Sequence, residues 1–164
     1  MTFRTESRIT IASSVPEVWA YMCDVERWPE WAPTVLEGWV RGGGPLVPGA
    51  RVEQRAKGIL GSSRRRSQGV TTVEEPRSMA FAGPLGTSQA RWGMEFVPAG
   101  DRQTEAEMWI EVDLAGPMRA IPARLLQRRI QRVSDGEMVS IKAAVESAAP
   151  SVAGAQNGTH AVLR

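Results

Sequence analysis

Few residues in this 164-residue chain could carry covalent or acid–base chemistry: one His, one Cys and one Tyr stand against six Trp. A Ser–His–Asp or Cys–His arrangement needs a histidine beside its nucleophile. His160 lies near the C-terminus in a small, polar stretch that reads as unstructured, so such a base would come from a flexible tail. One His also excludes a two-His metal site, and one Cys excludes an internal disulfide and a multi-Cys zinc site. No metal or other cofactor is expected. Tyr21 is a candidate general acid if it faces a cavity, although a phenol ordinarily titrates near pH 10. Gln54 is polar on an otherwise apolar strand face and could hydrogen-bond a ligand carbonyl or hydroxyl. Arg129 and Arg132 flank an apolar helical stripe, and Arg129 is the candidate for an anionic or enolate-like group. Cys23 has no adjacent base and reads as a packing residue.

Charge narrows the partners. The chain has 20 basic and 18 acidic residues, a net charge of +2, and only two of the basic residues are Lys. The surplus sits in Arg64–Arg66 and in Arg124, Arg128, Arg129 and Arg132. Glu105, Glu107 and Glu111 supply acid on another strand, so a solvated, salt-bridged surface is expected rather than a nucleic-acid site. No apolar run approaches the ~18 residues of a transmembrane helix. The N-terminal residues are polar and lack a signal core, so a cytoplasmic location is expected.

The elements that must position these side chains follow from period and punctuation. Glu6–Ile11 alternates as a strand with one buried face. Ser14 and Glu17 form a capping-box pattern around Pro16, opening a helix with Val18, Tyr21, Met22 and Val25 at helical spacing. Trp28–Pro33 fits a short helix or turn ended by Pro33. The period then becomes two. Strands are predicted over Val35–Val40, Arg51–Lys57, Arg64–Glu74, Ser78–Ala82, Ser88–Val97 and Gln103–Leu114. From Met118 to about Ala148 the chain reads as helical, with Leu126, Ile130, Val133, Ile141 and Val145 forming one stripe. The order is one strand, two short helices, six strands and a long helix. Short turns between consecutive strands favour an antiparallel sheet, and its apolar face needs the final helix as cover. The class is α+β.

This order resembles the START-related helix-grip superfamily, SRPBCC, and within it the polyketide cyclase/dehydrase and lipid-transport family. Ala12–Trp19 is similar to the start of the family's first helix, and Asp24–Trp31 to its following turn and second helix. Gly44-Pro45-Leu46 with Gly49–Val52 resembles its glycine-marked strand start. Glu74–Arg77 resembles its acidic-proline turn, and Ile141–Glu146 the end of its last helix. The resemblance implies a curved antiparallel sheet of about seven strands wrapped around a long C-terminal helix and enclosing a cavity. On this reading residues 1–148 form a single helix-grip ligand-binding domain and 149–164 a disordered tail.

The resemblance turns inward-facing residues into candidate cavity lining. Trp92, Met94, Met108 and Ile110 lie on predicted inward faces, and Met79 and Phe81 are in phase on the short strand before them. Trp31 is the candidate for the cavity mouth, with Trp28 as packing. Val133 belongs to the helix stripe, where Gly136 and Ser140 could leave room for a ligand. Trp109 falls on the charged face, either as an exposed partner contact or as a ring covered by arginine from a neighbouring strand.

The expected function is binding of a hydrophobic or aromatic small molecule, a polyketide or a lipid, in an internal cavity. A cyclase or aromatase acting by substrate orientation heads this reading. A non-catalytic lipid or quinone carrier and a protein-interaction module are its alternatives. The chain is expected to be a monomer or homodimer.

Overall fold

In the computed structural model, which describes residues 1–57 and 62–148, alternation and helical period resolve into seven strands and two α-helices. The strands are β1 Thr2–Ile11, β2 Val35–Val40, β3 Arg51–Lys57, β4 Ser63–Glu74, β5 Ser78–Leu85, β6 Ser88–Gly100 and β7 Gln103–Asp113. Helix α1 is Val15–Cys23 and helix α2 is Ala123–Ala148. Two 3₁₀ turns, Val25–Glu30 and Gly116–Ala120, precede β2 and α2. The sheet is antiparallel, in the order β1-β7-β6-β5-β4-β3-β2. With α2 gripped by the sheet, this is the helix-grip α+β fold.

The capping box opens α1. The Glu17 carboxylate accepts from the Ser14 N–H at 2.9 Å and from the Ser13 and Ser14 hydroxyls at 2.8 Å. These bonds hold its pKa down at about 2. Several boundaries differ from the periodicity: β1 starts at Thr2, β5 runs on to Leu85, and the short helix expected over Trp28–Pro33 is a 3₁₀ turn that ends at Glu30, before Pro33. Val25 begins a 3₁₀ turn instead of extending α1. Strand β6 runs through Pro98 to Gly100 by taking a bulge there, so the hairpin turns at Asp101-Arg102. Helix α2 begins only after Pro122, because Pro122 keeps Ile121 extended, at ψ 129°. The predicted tail at 149–164, with His160, lies outside the described residues.

Helix α2 lies along β1 and is tied to it by side chains. Gln127, Gln131 and Lys142 donate to the carbonyls of Arg4, Glu6 and Thr10 at 3.0, 2.8 and 2.7 Å. Ser7 donates to Asp135 at 2.6 Å, and Glu146 accepts from the Ala12 N–H at 2.7 Å. These contacts fix the rotation of α2. Met138, Ile141 and Val145 become buried in the main core, while Leu126, Ile130 and Val133 line a pocket toward the other end.

On the outer sheet face, Arg4 stacks over Trp109 at 4.7 Å and Arg65 over Trp39 at 5.5 Å. Trp109 also leans on Gly93, where an added Cβ would lie 2.7 Å from the ring. Of the two settings foreseen for Trp109, the structure has the covered one.

Candidate functional site

The inward sheet face is continuous, but only part of it is open. Register places Met79, Met94 and Met108 in one row, and Phe81, Trp92 and Ile110 in the next. Trp28 from the first 3₁₀ turn caps these rows, with its indole N–H donating to the Met22 carbonyl at 3.0 Å. Its ring meets Phe81 and Trp92 edge-on at 5.4 and 5.5 Å, and Phe81 stacks on Trp92 at 4.3 Å. Beneath α1 and this turn, Met79, Phe81 and Met94 are fully buried in the core.

Farther along the strands, the sheet and α2 diverge around a pocket of about 410 Å³. Trp28, Trp31, Trp92, Met108 and Ile110 supply one apolar wall. Leu126, Ile130 and Val133 of α2 face them, with Met118 at the second 3₁₀ turn. Gly83 and Pro84 of β5 also line it, beside Gln68, which accepts from the Trp92 indole N–H at 2.7 Å.

The polar lining is concentrated. Gln54 of β3 and Arg66 of β4 are cross-strand partners, so their side chains share the inward face. Glu137 reaches the pocket from α2. The side chains of Gln54, Arg66 and Glu137 have no hydrogen bond or ion pair among the described residues. Burial pushes the Glu137 carboxyl up to about 7, and the Arg66 charge opposes that rise. Near neutral pH it can therefore hold or release a proton. Trp31 is buried, and its indole N–H has no partner among the described residues.

Among the residues singled out from the sequence, Trp31, Gln54, Trp92, Met108, Ile110 and Val133 come together at the pocket, with Arg129. Met79, Phe81 and Met94 do not line it: they point inward as alternation requires, but at the end that α1 covers. Gly136 is exposed on α2, and the Ser140 hydroxyl donates to the Gly136 carbonyl at 3.1 Å, so neither lines the pocket. Tyr21 is outside it as well. Its hydroxyl donates to Glu30 at 2.5 Å, and burial with that carboxylate drives its pKa far above the ordinary phenol value. Cys23 is half-buried, and desolvation pushes its thiol up to about 11.

Sequence reading missed Arg66 and Glu137. Glu137 is four residues beyond Val133, so it continues the stripe of Leu126, Ile130 and Val133 once polar residues are admitted to it. Arg66 reads as part of a basic run until the β3–β4 register is known.

Residues 2–146 match the family model for polyketide cyclase / dehydrase and lipid transport. The chain belongs to this family. No curated protein sequence matches it significantly. Among solved structures, a START superfamily protein from Mycobacterium smegmatis superposes with a TM-score of 0.71 at 17% identity, over 88% of this chain and 97% of that one. A protein of Thermus thermophilus gives 0.71 at 17% identity, over 89% and 99%. The di-domain aromatase/cyclase StfQ of the steffimycin biosynthetic pathway gives 0.70 at 16% identity, over 89% of this chain and 52% of StfQ. At these identities the likeness is one of fold. No helix among the described residues is long and apolar enough to cross a membrane.

Proposed function

We infer that this family member binds an aromatic or otherwise planar hydrophobic small molecule between the sheet and α2. The observation that carries this is a tryptophan-walled pocket meeting three polar side chains, Gln54, Arg66 and Glu137, that have no hydrogen-bond partner among the described residues. A pocket of about 410 Å³ falls within the usual range for small-molecule sites. The apolar wall supplies affinity, and the polar group of the ligand sets its orientation toward Gln54 and Arg66.

The family supports a cyclase-like extension of this reading. A folded poly-β-keto chain needs loss of conformational freedom and placed hydrogen bonds more than a strong nucleophile. Gln54 donates to a ketone oxygen, Arg66 stabilises enolate charge, and Glu137 takes the proton from the carbon that forms the new bond and returns it to the attacked ketone oxygen, whose C=O π bond breaks to leave a hydroxyl. The carrier reading rests on another feature: Arg66, Arg129 and Glu137 are the only titratable side chains lining the pocket among the described residues.

Native mass spectrometry of freshly isolated protein tests the binding. A co-purifying mass is expected, together with quenching of tryptophan fluorescence by 2-naphthol that Trp92→Ala weakens about tenfold. No co-purifying mass and no 2-naphthol binding tighter than about 1 mM would overturn it. Product analysis with a poly-β-keto substrate separates the cyclase, which changes the product distribution, from the carrier, which leaves it unchanged.

A further inference from the structure

One charged surface lies outside the pocket except at Arg129, which borders both. Between Ala115 and Val133 the chain carries Arg119, Arg124, Arg128, Arg129 and Arg132 and no acidic residue. All five arginines are exposed, and none is in an ion pair among the described residues. Elsewhere the surface is mixed in sign: Arg8 pairs with Glu107, Arg55 with Glu37, and Arg102 with Glu17. The basic face is also apolar. Leu125 is 62% exposed, Val133 49% and Ile121 40%. Ile121, Leu125 and Leu126 line a shallow groove with Arg128, Arg129 and Arg132. Leu126 and Arg129 line the ligand pocket too, so groove and pocket meet along the first half of α2.

We propose that this face docks on an anionic lipid bilayer, with the first half of α2 lying in the interface and the pocket mouth turned toward the lipid. Charge complementarity selects an anionic partner, because five arginines have no internal carboxylate to answer them. The exposed aliphatic side chains select a bilayer over a nucleic acid. An interfacial helix buries such residues among the acyl chains while arginine heads remain at the phosphates. A single-stranded nucleic-acid surface would interleave aromatic rings for base stacking, and residues 115–133 contain none. The docking stands on the face alone. Ligand exchange with the bilayer rests in addition on the binding function inferred above.

The test is co-sedimentation of the full chain with vesicles of phosphatidylcholine, alone or with 30% phosphatidylglycerol. Binding is expected to the anionic vesicles and not to the neutral ones. Each lipid-facing arginine is expected to multiply partitioning about fivefold, so Arg124→Gln/Arg128→Gln/Arg132→Gln abolishes sedimentation and 0.5 M NaCl strongly reduces it. Arg129 stays unaltered because it also lines the pocket. Leu125→Ser is expected to weaken binding with the charge intact. Equal recovery on both vesicle types, no recovery on either, or undiminished binding of a triple variant whose circular dichroism and melting match the parent would overturn docking. So would tight binding to duplex DNA in place of vesicles. Native mass spectrometry of the triple variant keeps the two readings apart. A retained co-purifying mass with lost vesicle binding supports docking and the pocket separately, whereas vesicle binding without any ligand leaves docking intact and removes only the exchange.

Discussion

The two ends of the inward sheet face differ in what covers them. At one end, Met79, Phe81 and Met94 are buried in the core under α1 and Trp28 and do not line the pocket. At the other, Trp92, Met108 and Ile110 point the same way but face α2 across a pocket. All six belong to two adjacent rows of one sheet. Facing inward therefore does not decide between core and binding wall. The covering element decides it, and side-chain bonds from α2 to β1 set where α2 can lie.

The largest effect that would sharpen this contrast is expected from Met94→Ala at the closed end. Loss of a fully buried side chain there costs about 2–5 kcal/mol in chemical denaturation. Binding of 2-naphthol by the folded variant should be unchanged. A destabilisation below about 1 kcal/mol would show that the closed end is not close-packed.

Glu137→Gln tests the open end. The Glu137 carboxyl titrates at about 7 in the folded chain against an ordinary 4.5. The folded state thus holds this proton more tightly than the unfolded state. Its contribution is fully present below pH 4.5 and is lost as pH rises through 7. The span is up to about 3 kcal/mol. Glu137→Gln should therefore be more stable than the parent at pH 8, with the difference shrinking toward pH 5. A pH-independent difference between the two in urea melts would break the assignment.

Gly93→Ala probes the sheet behind the closed end. Its Cβ would lie 2.7 Å from both the Met79 carbonyl oxygen and the Trp109 ring. The backbone contact cannot yield cheaply, so a loss of about 1–3 kcal/mol is expected in thermal or urea unfolding. The smallest effect belongs to Val133→Ala on the pocket rim, within about 0.5 kcal/mol because Val133 is half-exposed. Its measurable consequence should be in 2-naphthol affinity. A large stability loss there would mean that α2 is closed over this end as well.

Most of the fold was legible because alternation and capping are local. The strand faces of β6 and β7 and the capping box at Ser14 and Glu17 need no partner to be seen. The open and closed ends were not legible, because they depend on the long-range placement of α1 and α2. For the same reason Met79 and Trp92 looked equivalent. Gln54 stood out as polar among apolar neighbours, but its partner Arg66 was hidden in an arginine run. Glu137 was hidden by reading only apolar residues into the helical stripe. Tyr21 was judged by residue type, and only the structure reveals the Glu30 carboxylate that occupies its hydroxyl.

The side chains joining α2 to β1 have a further consequence for association. β1 is an outer strand of the sheet, and its carbonyls at Arg4, Glu6 and Thr10 would otherwise offer a template to another chain. Gln127, Gln131 and Lys142 occupy those acceptors one by one. These contacts, with α2 lying along β1, oppose strand addition on the β1 side. Shortening these three side chains should be felt first as self-association at high protein concentration, with a smaller change in the melting temperature of the monomer.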